Sequence, residues 1–135
     1  MESVSVYISK NKLVIVKWRG KWNADDYFEE INTFLNNVDN IKLESAIHDI
    51  SDLDFTFKMK DIKKIVEIKK KYIKSKHSTV YITNKPQDVV FAQLFADEFK
   101  EHKIYHCATI DRAINLLGLD NDYLVVKEAY INLKF

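Results

Sequence analysis

Short apolar, β-branched runs alternate with longer stretches of helical periodicity along this chain, and that alternation constrains its fold more than any other feature. VSVYIS and LVIVKW come first, separated by the turn-like SKNK, and predict a β-hairpin over Val4–Ser9 and Leu13–Trp18. Gly20 is expected to end the second strand. Asn23 is a good N-cap, and Asp25 and Asp26 sit in a first helical turn, where the helix dipole favours anions. Tyr27, Phe28, Ile31, Phe34, Leu35 and Val38 then recur at helical spacing.

LESAIHDI, Leu43–Ile50, reads as the next strand. A second helix is predicted from about residue 58 to 74, with Ile62, Ile65, Val66, Ile68, Tyr72 and Ile73 facing inward. TVYIT, Thr79–Thr83, is a β-branched run that suits a central strand. Pro86 breaks the chain before a third helix over about residues 87–101. Lys103–Cys107 is a short strand, Thr109 caps a fourth helix, and Gly118 stands where a C′ residue should. The tail at 120–135 is open between an edge strand and a short helix.

The predicted order is therefore β-β-α-β-α-β-α-β-α plus the tail. It implies an α/β fold with a single, mostly parallel sheet, helices on both faces and one antiparallel edge from the N-terminal β-hairpin. With 135 residues, one domain over 1–135 is expected, the 120–135 tail packing on it. Hydrophobic residues make up 47% of the chain, enough for a full core. Apolar runs of about five residues cannot span a bilayer, and MESVSVYISK lacks the basic and apolar regions of a secretory signal. The single Cys107 excludes an internal disulfide and suits a reducing, cytoplasmic setting. A net charge of +1 and only two Arg argue against specific nucleic-acid readout. Two Gly and one Pro leave no Gly-rich phosphate loop.

Four local patterns carry a resemblance. LVIVKWRGKWNADDYFEEI looks like a second strand, its Gly and a first helix. SAIHDISDLDF looks like a strand ending in an Asp-aliphatic-Ser motif. TVYITNKPQDVVFAQLF looks like a strand running into a helix rich in Ala and aromatics, and TIDRAINLLGL looks like a closing helix. In this order and spacing, over roughly residues 4 to 119, they resemble the STAS-like, SpoIIAA-like family, the fold of bacterial anti-sigma-factor antagonists. The resemblance implies STAS/SpoIIAA-like topology and a regulatory role through a protein partner, or a small apolar ligand as in related Sec14-type proteins. The family's switch carries a phosphorylatable Ser at the start of the helix after the Asp-aliphatic-Ser strand. Lys58 and Met59 stand there instead, with Ser51 and Thr56 the nearby hydroxyls that could be phosphorylated.

The junction HDISDLDFTFKMKD concentrates the candidate chemistry. Asp49, Asp52 and Asp54 could act as acid and base or hold Mg²⁺; the blander expectation is that Asp52 and Asp54 are turn and N-cap acceptors. A receiver-domain reading of Lys85-Pro86 fails, because the matching first strand ends in cations rather than an acidic pair. His102 and His106 lack a shared helical face, His48 reads as a strand histidine, and Cys107 as a structural thiol. No metal site and no cofactor are expected. The second helix region carries nine lysines, from Lys58 to Lys76, against Asp61 and Glu67. They could meet an anionic partner, or form a solvated face whose stems cover the apolar stripe. VVFAQLFADEF is apolar on more than one face, with Val89, Ala92, Phe95, Ala96 and Phe99 in one stripe and Val90, Phe91 and Leu94 beside it. The excess is expected to lie under the tail or in a homodimer.

These readings converge on a non-enzymatic cytoplasmic binding or regulatory module for a protein partner or small apolar ligand. Its expected binding residues are Trp22, Asp54, Thr56, Phe57, Lys58 and Lys85. The alternatives are a small enzyme using the Asp49–Asp54 carboxylates with Lys58 or Lys85, and an anionic-partner binder acting through the lysine helix.

Overall fold

The computed structural model describes residues 1–37, 43–56, 58–72, 77–98, 100 and 102–135. Its elements are β1 (Glu2–Ile8), β2 (Leu13–Lys21), α1 (Ala24–Asn37), β3 (Ser45–Asp54), α2 (Met59–Tyr72), β4 (Ser78–Ile82), α3 (Pro86–Glu98), β5 (Lys103–Cys107), α4 (Ile110–Leu116) and α5 (Tyr123–Asn132). The five strands form one sheet in the order β1-β2-β3-β4-β5. Only the β1–β2 pair is antiparallel. The predicted α/β class, hairpin and mostly parallel sheet are thus found. Among the described residues no helix is long and apolar enough to cross a membrane.

Sequential order settles where the helices lie. Right-handed crossovers between adjacent parallel strands put every connecting helix on the same face. Tyr27 and Phe28 of α1, Ile62, Ile65 and Val66 of α2, and Phe91, Ala92 and Phe95 of α3 accordingly share one core with Val14, Val16, Trp18, Ile50 and Tyr81 of the sheet. The other face, Leu13, Ile15, Ile47, Val80 and Ile82, is closed by Ile110, Ala113 and Ile114 of α4 and Val126 of α5. The tail is therefore helical, and it covers the face opposite α3. The expectation that it buries the second apolar side of α3 is corrected: Val90 stays 53% exposed, and the inward stripe is Asp88, Phe91, Ala92 and Phe95. Phe99, expected in that stripe, lies outside the described residues, as do Val38 and Ile73.

The helix starts follow the local chemistry. Asn23 Oδ1 accepts from the Asp25 and Asp26 amides at 3.0 and 3.1 Å, and Thr109 Oγ1 from the Arg112 amide at 3.2 Å. Pro86 is the first residue of α3 rather than a break before it, since its missing N–H costs nothing in a first turn. Gly118, at φ +68°, takes the left-handed position after α4.

Two expectations about the β2 and β3 ends are corrected together. Gly20 does not end β2, and β3 does not end at Ile50: Arg19, Gly20 and Lys21 pair with Asp52, Leu53 and Asp54. In register Arg19 stands opposite Asp52 and Lys21 opposite Asp54, while the Arg19 guanidinium pairs with Glu2 of β1. Because β4 stops at Ile82 and the β1 pairing reaches only Arg19, opposite Glu2, Gly20–Lys21 and Leu53–Asp54 form a two-stranded ribbon overhanging the carboxyl end of the sheet. Asp52 and Asp54 are consequently strand residues, not turn or N-cap acceptors.

The register shifts between Lys17 and Arg19 on β2 while β3 advances from Asp49 to Asp52, so β3 holds one extra residue. Asp49 Oδ1 accepts from the Ser51 amide at 3.0 Å and also from the Ser51 hydroxyl. This Asx-type bond satisfies an amide left without a ladder partner by the bulge. The extra residue shifts the alternation, so Ile50, Leu53 and Phe55 all enter the core of the three-helix face. On the opposite face Tyr130 of α5 donates to Asp49 Oδ2, and Lys17 Nζ donates to the Leu133 carbonyl at 2.9 Å. Asp49→Ala should therefore lower the unfolding free energy by about 2–3 kcal/mol, and Tyr130→Phe by about 1 kcal/mol. In a denaturant double-mutant cycle the two losses should fall short of additive, because they share one carboxylate.

Candidate functional site

The ribbon overhang and the β2–α1 link bring six aromatic rings together at the carboxyl end of the sheet. The Trp22 amide donates to the Asp54 carbonyl at 2.8 Å, which holds the link against the ribbon. The Trp22 ring then sits 4.5 Å from Phe55 and 5.2 Å from Tyr27, centroid to centroid. Phe55 meets Phe91 at 4.4 Å, and Trp18 meets Tyr27 at 5.3 Å. Tyr81 stacks on His48 at 5.4 Å. Between these rings lies a narrow recess whose free space is about that of one water molecule.

The polar groups of the recess are matched unevenly. Trp18 Nε1 donates to His48 Nδ1 at 3.1 Å, so the imidazole accepts through that nitrogen. Among the described residues, Trp22 Nε1 and the Tyr81 hydroxyl, both buried, have no hydrogen-bond partner. Burial pushes the Tyr81 phenol well above its ordinary pKa, and the neighbouring Tyr27 phenol pushes it further. Burial also raises the Tyr27 phenol. Both hydroxyls therefore keep their protons at physiological pH.

A second network fixes the ribbon from the α3 side. Lys85 Nζ donates to the Leu53 carbonyl at 2.9 Å. Thr83 Oγ1 donates to Asp88 Oδ2 at 2.8 Å and accepts from the Lys85 amide at 3.2 Å. Asp88 is fully buried, and its Oδ1 has no partner among the described residues. Desolvation raises the Asp88 pKa; the Thr83 bond and Lys85 oppose that rise, and the charge of Asp54 adds to it.

Of the expected binding residues, Trp22, Asp54 and Lys85 converge on the Leu53–Phe55 segment. Asp54 contributes its carbonyl and leaves its carboxylate exposed. Thr56 and Lys58 are exposed beyond the ribbon, and the Lys58 amide is taken by Asp61 Oδ2 at 3.1 Å as α2 begins. Phe57 lies outside the described residues. The Ser51 hydroxyl is engaged by Asp49. For the acid–base reading, Asp49 has both oxygens hydrogen-bonded to Ser51 and Tyr130, whereas Asp52 and Asp54 are exposed. Among the described residues no three His, Cys, Asp or Glu side chains are grouped as metal ligands.

The recess residues that sequence reasoning passed over are Trp18, Tyr27, His48, Phe55, Tyr81 and Phe91. The legible signal was the alternation in Asp52-Leu53-Asp54-Phe55, a period-2 strand pattern overshadowed by its turn-like carboxylates. Away from the recess, His77 and His102 pack at 4.7 Å, and the His77 amide donates to His102 Nδ1 at 3.3 Å. Cys107 Sγ donates to the Thr109 carbonyl at 3.3 Å, and burial raises its thiol pKa. On α2, Lys64 Nζ lies 4.5 Å over the Phe28 ring, while Lys60 and Lys63 are exposed; Lys74 and Lys76 lie outside the described residues.

A scan against protein-family models gives no match, and a search of curated proteins gives none either.

Two substitutions separate matched from unmatched groups. Trp18→Phe strands His48 Nδ1 and should cost about 1–3 kcal/mol by chemical denaturation. Asp88→Asn removes a charge that folding raises in pKa. Such a group destabilises the fold above its folded pKa, and the effect disappears as pH falls below the unfolded value. The variant should thus unfold at a higher temperature than the parent at neutral pH, with the gap closing on acidification.

Proposed function

We propose that this chain is a non-enzymatic binding or regulatory module of the STAS-like, SpoIIAA-like type, acting in the cytoplasm. It takes a small apolar ligand, or an apolar side chain of a protein partner, at the overhanging carboxyl end of its sheet. The observation that carries this reading is the aromatic recess in which Trp22 Nε1 and the Tyr81 hydroxyl are buried without partners. Buried donors left unpaired cost a fold stability, and such exceptions cluster where a ligand or partner completes them.

The element order and the absence of a serine at Lys58 support a family member that binds without the usual phosphorylation switch. Thr56, exposed beside the recess, remains the hydroxyl open to modification. The enzymatic alternative is less favoured, because the best-placed carboxylate, Asp49, is consumed by the bulge and by Tyr130.

Native mass spectrometry of the purified protein tests this reading and reports subunit number at the same time. The parent should retain a bound mass that Trp22→Ala loses while remaining folded by circular dichroism. An empty parent spectrum, together with a turnover that Asp54→Asn abolishes at unchanged stability, would instead establish the enzyme.

A further inference from the structure

We propose that the recess takes a neutral hydrogen-bond acceptor, a carbonyl oxygen on a compact apolar body, and that the Trp22 side chain turns on its fixed backbone to admit it while its N–H stays toward the recess. This inference rests on the binding reading above and adds the chemical class of the ligand.

The polarity of the unpartnered groups sets the first requirement. An indole N–H can only donate, and the Tyr81 hydroxyl, kept protonated by burial, has a proton to give. A carbonyl oxygen offers two lone pairs and no proton, so it matches the polarity of both groups lining the recess. A ligand that only donates would satisfy neither the indole nor the hydroxyl proton.

Charge sets the second. The recess lining includes Trp22, Tyr27, Leu53, Phe55, Tyr81 and Phe91, with His48 the only member able to carry a positive charge. His48 accepts the Trp18 proton through Nδ1, and protonation would break that bond. Lys85, the cation on the neighbouring network, has its ammonium on the Leu53 carbonyl and acts electrostatically on the buried Asp88. An anion would be buried in the recess without a counter-charge, which is costly. A neutral carbonyl matches the donor polarity of the recess without that cost.

Space sets the third. The recess as it stands has room for about one water, whereas small-molecule sites are several hundred Å³. Something must move. Trp18 is buried and held by His48. Trp22 is half-buried, its indole N–H is unheld, and its ring rests on Phe55 and Tyr27 alone among the ring contacts described. Its backbone stays fixed by the Asp54 carbonyl, so a side-chain rotation opens the recess without disturbing the ribbon.

The test compares acetophenone with ethylbenzene, which has a similar shape and no acceptor, by ¹H–¹⁵N NMR on the full chain. The chain has two indole N–H signals, from Trp18 and Trp22. Acetophenone should move the Trp22 indole proton downfield and bind about tenfold more tightly than ethylbenzene. Tyr81→Phe should remove most of that preference, leave ethylbenzene binding unchanged and raise the melting temperature, since it deletes an unpartnered hydroxyl. Equal binding of both probes would overturn the acceptor inference and leave the apolar site standing. A melting temperature lowered by Tyr81→Phe would show the hydroxyl satisfied by an internal water, and would overturn the inference too. If neither probe shifts any recess signal while native spectra show a retained mass, the carbonyl proposal fails and binding lies elsewhere.

Discussion

Asp49 holds three donors at once: the amide and hydroxyl of Ser51 along its own strand, and the phenol of Tyr130 from the C-terminal helix. The first pair stabilises the extra residue in β3. Without the bulge, all residues after Ile50 would keep strict alternation, and Leu53 and Phe55 would turn toward the opposite face. Phe55 could then no longer bridge Trp22 and Phe91. The third donor fastens α5 across the second face of the sheet. One carboxylate therefore couples the helix that closes one side to the ribbon that shapes the aromatic recess on the other. Coulombic attraction from Lys17, itself desolvated and tied to the Leu133 carbonyl, reinforces the same junction.

Strand order explains why the recess lies where it does. In doubly wound sheets the binding crevice opens where strand order reverses and the connecting helices diverge to opposite faces. The order here is β1-β2-β3-β4-β5 without reversal, and α1, α2 and α3 share a face. No crevice arises from topology. The available opening is the step left where β2 and β3 run on past Ile82 of β4, with the β2–α1 link folded back on it through the Trp22 amide. A site at that step is built from the ribbon, the β2–α1 link and the strand and helix residues behind them, not from a crevice between diverging helices.

That geometry also explains what the sequence disclosed. The caps at Asn23, Thr109 and Gly118 and the inward positions Ile62, Ile65 and Val66 were readable because each depends on residues a few places apart. Trp22, Asp54 and Lys85 were found by their place at a strand-to-helix junction, and all three do reach the Leu53–Phe55 segment. The ribbon was missed because its evidence is non-local. Gly20 reads as a terminator, yet it holds φ +94° inside β2 beside Met1. The carboxylates of DLDF read as a turn until Arg19 and Lys21 are seen opposite them. The tail resisted assignment for a different reason. Helix α5 is apolar on its inner side at Val126 and on its outer side at Leu124, 76% exposed, so neither a 2- nor a 3.6-residue period stands out.

The same aromatic face handles like groups in opposite ways. The Trp18 N–H is matched to an imidazole nitrogen, and the Thr83 hydroxyl to a buried carboxylate oxygen. In the same recess the Trp22 N–H and the Tyr81 O–H find no acceptor among the described residues. Phenylalanine at position 81 would pack among His48, Phe91 and Phe95 equally well and remove a cost of about 1–3 kcal/mol. A surplus of donors in a nearly apolar recess is thus a local departure from the consistency found elsewhere in the fold. Departures of this kind are expected at sites where stability is traded for binding. The surplus also has a sign: it is acceptor that the recess lacks, and that lack defines the chemistry able to fill it.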